Sequence, residues 1–218
     1  MQRRTVDNKG SEERQFAAVV LLAAGSSRRM GQPKQTLDWL GMPMVQYQVA
    51  QLVKVEAVGE VVVVLGYEAD RIAPLIRAVG NERVSIALNL EYEKGKSTSV
   101  KAGLSSLMSG YGAIMVLAAD QPRTSQVFEL LLHAHFARGA PVSIPAHKGD
   151  TGHPPVFDSA LLPELLAITE EREGVREVIR RHRGALHKVV MEDPLVVTNL
   201  NTMEDYWKAL AIARPGTR

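Results

Sequence analysis

The chain has 218 residues, 45% hydrophobic and 23% charged, which suits one globular domain with a sizeable core. Its 26 Lys and Arg nearly balance 24 Asp and Glu, leaving a formal net charge of +2, so bulk charge makes no case for nucleic acid as a partner. The absence of cysteine excludes disulfides, zinc–thiolate sites and thiol catalysis, and no apolar run reaches the roughly 20 residues that a membrane-spanning helix needs.

The first fifteen residues are polar and lack the apolar centre of a signal peptide. They are expected to form a flexible tail to a cytoplasmic protein, with one domain over 16–213 and a short C-terminal tail over 214–218. Ala17 to Leu22 is an unbroken apolar run and reads as a buried strand. A helical pattern covers Met44 to Val53. Glu60 to Leu65 is a second buried strand, and a helix follows over Ala69 to Val79. Val84 to Leu88 is a third strand, followed by a helix over Ser97 to Leu107. Ala113 to Ala118 is a fourth, followed by a helix over Ser125 to Arg138. Val142 to Ile144 is a fifth. Asp193-Pro194 breaks the chain before a short strand expected over Leu195 to Thr198, and a last helix covers Met203 to Ala213. Strands alternating with helices predict an α/β fold, a mostly parallel central sheet covered by helices on both faces. Such sheets bind ligands beyond the C-terminal ends of their strands. Gly25, Gly66, Asn89 and Asp120 all fall at or near such ends.

The loop after the first strand carries the most chemistry. Gly25 to Lys34 has little bulk and places Arg28, Arg29 and Lys34 close together. A glycine lets backbone approach a phosphate closely, successive N–H groups can face the anion, and Arg and Lys supply charge. The dinucleotide fingerprint is absent because Ser26 and Ser27 follow Gly25. The P-loop fails because five residues separate Gly25 from Gly31, and Gln32 follows. Gly95-Lys96-Ser97 is a P-loop decoy, since the required earlier glycine is Leu90.

What fits is A-A-G-x-x-x-R-M-G-x-x-K, read from Ala23 to Lys34. This resembles the signature loop of nucleotidyltransferases, and most of all the molybdenum-cofactor cytidylyltransferases within the molybdopterin nucleotidyltransferase group. The resemblance implies a Rossmann-like, three-layer domain of the nucleotide-diphospho-sugar transferase type. It implies nucleotide contacts from Leu22, Ala23, Ala24, Gly25, Met30 and Gly31, with Arg29 and Lys34 on the triphosphate. Asp120, in Ala118-Ala-Asp-Gln-Pro122, matches the metal-binding aspartate of the family and would hold Mg²⁺. Gln121 is longer than the usual neighbour. Gly66 completes the expected nucleotide contacts, together with Asn89, Gly95 and Ser99 in a segment that meets base and ribose in the family; Ser97 or Thr98 alternatively caps the helix there. Gly152-His153-Pro154 resembles a cytidylyltransferase segment near the acceptor.

Asn199-Leu-Asn-Thr-Met-Glu-Asp205 resembles the family's D-x-D-T-P-E-D segment and the guanylyltransferase form N-x-N-T-P-E-D. Asn199 and Asn201 are candidate metal ligands, neutral where the cytidylyl form has carboxylates. Thr202 and Asp205 have the spacing of a capping box. The charge-rich run from Glu170 to Arg183 reads mostly as a solvated helical face, from which one or two arginines that the sequence does not single out could reach a phosphorylated acceptor. His133 and His135 read as structural or solvated, and His147, His182 and His187 show no metal-ligand spacing.

The implied reaction transfers a nucleoside monophosphate from CTP to the phosphate of molybdopterin, with release of pyrophosphate. CTP is favoured over GTP because Ala24 stands where guanylyltransferases carry a second glycine. The asparagines at 199 and 201 point to GTP. A small-acceptor, sugar-phosphate type of nucleotidyltransferase is an alternative. Another is a non-catalytic protein that hands cofactor to a molybdenum hydroxylase, against which Lys34 and Asp120 both speak.

Overall fold

The structure is a computed structural model that describes residues 15–26 and 33–214. All but Gln15 of the expected N-terminal tail and all but Arg214 of the C-terminal tail lie outside the described residues.

In chain order the elements are β1 (Ala17–Leu22), β2 (Asp38–Trp39), β3 (Met42–Pro43), α1 (Met44–Leu52), β4 (Val58–Leu65), α2 (Ala69–Arg77) and β5 (Val84–Leu88). They continue with α3 (Lys96–Ser105), β6 (Ala113–Ala118), α4 (Ser125–Arg138), β7 (Val142–His147), β8 (Asp150–Thr151) and β9 (Val156–Asp158). Last come α5 (Leu162–Leu166), α6 (Val175–Arg181), β10 (Leu186–Val190) and α7 (Met203–Ala213). The main sheet runs β10-β7-β9-β6-β1-β4-β5, with β8 beside β7. β1 pairs in parallel with β4 and β6, β4 with β5, and β7 with β10. Only β8 and β9 run against the rest.

β1 explains the layering. Its odd residues, Ala17, Val19 and Leu21, enter one apolar cluster with Val49, Ile72 and Phe128 from α1, α2 and α4. Its even residues, Val20 and Leu22, enter another with Leu104, Leu165 and Val178 from α3, α5 and α6. A strand buried on both faces must be apolar at every position, which is why the run lacks alternation. A third cluster packs Trp39 against Tyr206 and Leu210, fastening α7 to the small β2–β3 hairpin.

One expected strand is replaced. Residues Pro194–Val197 form a 3₁₀ turn, not a strand. The Asp193 carboxylate accepts from the Leu195 N–H, and Pro194 occupies the first position, where its missing N–H costs nothing. Asp-Pro here starts a helical turn rather than merely breaking the chain.

Candidate active site

The site lies beyond the C-terminal ends of β1, β4, β5 and β6. The chain leaving β1 stays pinned to the sheet for two residues, with Ala23 N–H donating to Val64 O and Tyr67 N–H donating to Ala24 O. Gln35, 4% exposed, then donates through Nε2 to both Ala23 O and Gly25 O, at 2.8 Å each. It holds the start of the phosphate-type loop from beneath. Arg28, Arg29, Met30 and Gly31, the rest of that loop's expected contacts, lie outside the described residues.

Lys34 returns from the loop into the sheet's mouth. Its ammonium is 3.0 Å from Asp120 Oδ2 and also donates to Leu200 O. Asp120 stands two residues past β6, in a turn closed by Gln121 N–H donating to Ala118 O. Gln121 in turn donates to Asn199 Oδ1 at 2.7 Å. The segment 199–201 thus meets the end of β6 edge to edge. Thr202 and Asp205 form the expected capping box on α7, and the Asp205 carboxylate also accepts from Asn201 N–H.

Two cavities meet at this point. The smaller, about 270 Å³, is bounded by Ala24, Gly25, Lys34, Gln35, Tyr92 and Ser99, with Gly95 at its rim. The larger, about 490 Å³, has an apolar floor that includes Val100, Val116 and Ile168, and a polar rim of Ser97, Gln121, His153, Arg176, Asn199 and Asn201. Leu22, Lys96, Ala118 and Asp120 border both.

Three expected contacts stand back from the cavities. Asn89, 5% exposed, donates to Thr98 Oγ1 and Ser99 Oγ and accepts from Glu91 N–H, so its side chain fixes the start of α3. Gly66 packs under the Tyr92 ring, where an added Cβ would come within 2.7 Å. Ala23 meets Gln35 through its carbonyl. Neither Ser97 nor Thr98 caps α3 with its side chain; the cap is Gly95. Thr98 Oγ1 donates to Gly95 O, while the carboxylate of Glu170 accepts from Ser97 N–H.

This arrangement has counterparts. The sequence profile of the MobA-like NTP transferase domain matches residues 19–187. The chain belongs to that family. Nicotine blue oxidoreductase of Paenarthrobacter nicotinovorans is 28% identical over 200 residues, covering 88% of this chain and 95% of the relative. The molybdenum cofactor cytidylyltransferase of Escherichia coli strain K12 is 22% identical over 191 residues, covering 86% and 92%. Among solved structures, Rv0371c of Mycobacterium tuberculosis H37Rv superposes with a TM-score of 0.73 at 20% identity, covering 90% of this chain and 98% of that one. The same protein has been crystallised with manganese.

Within this NTP transferase domain, the structure adds a residue that sequence reasoning missed. Arg123 is 1% exposed. Its guanidinium donates to the carbonyls of Pro122, His153, Val196 and Thr198. It ties the turn after β6 to the His153 loop and to the 3₁₀ turn, so one buried cation sets where Asp120, His153 and Asn199 stand relative to each other. Burial pushes its pKa down to about 10, opposed by the carboxylates of Asp193 and Asp120, and it stays charged at neutral pH. Gly152 allows the same contact, since a Cβ there would lie 2.0 Å from Val196 O.

His153 is held neutral. Burial first, then the positive charges of Lys96, Arg123 and Arg176, push its pKa down to about 4, with Asp120 opposing. The family's divalent metal finds a sparse donor set. Among the described residues no three His, Cys, Asp or Glu side chains gather to cage an ion. Asp120 offers one carboxylate, and Asn199 and Asn201 offer neutral amide oxygens. That fits an ion delivered with triphosphate, because Mg²⁺ is commonly held by one or two carboxylates plus substrate phosphates. No helix among the described residues is long and apolar enough to cross a membrane.

Proposed function

We propose that the protein is a Mg²⁺-dependent cytidylyltransferase that transfers CMP from CTP to the phosphate of molybdopterin and releases pyrophosphate. One observation carries this reading: two cavities of different character share a seam at Asp120 and Lys96, with the Lys34 ammonium bound to Asp120 beside it. A group-transfer enzyme needs such a seam, where one substrate's reacting phosphorus faces the other's nucleophile.

In this reading the smaller cavity takes the nucleotide. Ala24, Gly25, Gly95 and Ser99 face base and ribose, and Lys34 releases Asp120 to hold the triphosphate, with Arg29 and Gly31 assisting from the loop. Asp120, with Asn199 and Asn201, would hold the metal ion, which when bound neutralises charge on the phosphates. The larger cavity takes the acceptor, whose oxygen attacks the α-phosphorus in line. The nucleophile needs no strong base, because a phosphate monoester has a second pKa of about 6. His153, neutral at pH 7, serves as a hydrogen-bonding wall rather than a cation. Lys96 faces the charge that develops at the seam.

Ala24 lines the nucleotide cavity and is 4% exposed, so its methyl group occupies space that a purine would use. One methyl-sized contact is worth about 1–3 kcal/mol, so CTP should exceed GTP in kcat/KM by roughly ten- to a hundredfold. The test is pyrophosphate release with each triphosphate, with and without molybdopterin. CTP- and acceptor-dependent release supports the reading, and a clear GTP preference reassigns the nucleotide.

A redox function is the second reading. The full-length match to nicotine blue oxidoreductase favours it, as do the amides of Asn199 and Asn201, which are weak ligands for a metal. Oxidation of NADH or NADPH by the protein with a dye acceptor, without pyrophosphate release from any triphosphate, would select it.

A further inference from the structure

The first turn of α3 divides its polar groups between the two cavities. Ser99 faces the smaller, Ser97 the larger, and Lys96 both. On the larger side, the Ser97 N–H points to an acceptor that this chain supplies itself: the carboxylate of Glu170, from the loop between α5 and α6. Room for that carboxylate is built in. Gly95, at a φ of +121°, would place a Cβ 2.2 Å from Glu170 Cγ, so any other residue at that position would push the side chain away.

The Ser97 hydroxyl belongs to a residue only 5% exposed, and its Oγ has no hydrogen-bond partner among the described residues. A buried hydroxyl without a partner is costly, and such groups ask for a ligand. Gly174 backs it, with an added Cβ falling 3.1 Å from Oγ. Around it the cavity lining mixes two cations with the carboxylates of Asp120, Glu170 and Glu173. Lys96 and Arg176 line it, neither forms an ion pair among the described residues, and both depress the pKa of His153. Of the glutamates on the same wall, Glu173 is paired with Arg180.

We propose that the first turn of α3, with Ser97, Lys96 and Arg176, is the docking site for the acceptor's phosphate monoester, and that Glu170 holds the place until the phosphate displaces it. This rests on the transferase reading only for the name of the ligand. A phosphate offers more oxygens than a carboxylate, enough to take the Ser97 N–H, the Ser97 hydroxyl and the two cations together. Glu170 then satisfies the Ser97 N–H of the empty site but leaves the Ser97 hydroxyl without a partner, and its charge discourages small anions from lodging there. Its removal frees the subsite.

The test is calorimetric titration with inorganic phosphate, which needs no turnover and so reads the subsite whether or not nucleotidyl transfer is observed. Glu170→Ala should bind phosphate at least tenfold more tightly than the wild type. The gain should disappear in Glu170→Ala/Arg176→Ala and persist in Glu170→Ala/Lys34→Ala, each checked for a normal melting curve. Equal phosphate affinity in the wild type and Glu170→Ala would overturn the proposal. So would binding that is lost with Lys34 and indifferent to Arg176, because the anion would then sit in the triphosphate site.

Discussion

Lys34 shows how a single side chain can read differently in sequence and in space. In sequence it closes a basic loop. In the structure it is a buried cation shared by Asp120 and Leu200 O, reaching across to the C-terminal segment. Lys34→Ala should raise KM for the triphosphate by about ten- to a hundredfold, the worth of one charge-assisted hydrogen bond to phosphate. The melting temperature should fall by only a few degrees, since Asp120, its side chain 32% exposed, keeps access to water. Unchanged triphosphate kinetics with a large loss of thermal stability would make Lys34 a structural residue. Arg123 is the opposite case. It sits one residue from a proline after a strand, a place that looks like ordinary turn. Nothing in the sequence says that four carbonyls from three segments converge on it, because the convergence exists only after folding.

At the scale of elements, the fully buried strands β1 and β6 were legible with their bounds because burial on both faces leaves an unmistakable apolar run. β5, an edge strand that is only partly buried, also has the predicted bounds, as do α4 and α7. β9 and β10 were not. Val156–Asp158 is too short to show a period, and Leu186–Val190 mixes His187 and Lys188 into an edge strand. α6 was legible only as a charge run, but Val178 and Glu177 are buried beneath it, the latter tied to Arg181. The capping box at Thr202 was legible in full, since both partners lie within one turn. The carboxylate that accepts from the Ser97 N–H in the first turn of α3 was not, because Glu170 comes from 73 residues away. α3 also approaches the sheet unusually closely at Gly103, where a Cβ would lie 2.3 Å from Val20 Cγ1 and 2.9 Å from Val64 Cγ2. Gly103→Ala gains about 1 kcal/mol of helix propensity and loses about 1–3 kcal/mol to overpacking. We expect a lower melting temperature, measured by circular dichroism; an equal or higher one would show that the helix can shift freely.

For the whole molecule, acid is the expected weakness. Burial pushes both His135 and His153 down to about 4 from the usual 6.5. His135 is locked to Ser143, with His187 on the other side of that hydroxyl. Between pH 6.5 and 4 the unfolded chain binds protons that the folded one refuses. Stability is therefore fully present above about pH 6.5 and falls as pH drops towards 4, by roughly 1.4 kcal/mol per pH unit for each histidine. Urea unfolding across that window checks this, and a flat profile would contradict it.

The same whole-molecule view makes Asp120 the pivot, because among the described residues it is the carboxylate that borders both cavities. The most direct test is the steady-state kinetics of Asp120→Asn with CTP and molybdopterin at saturating Mg²⁺. Charge stabilisation at the seam belongs to the transition state, so kcat should fall by at least roughly a hundredfold while CTP binding changes little. A near-normal kcat in Asp120→Asn would contradict the claim that transfer takes place where the two cavities meet.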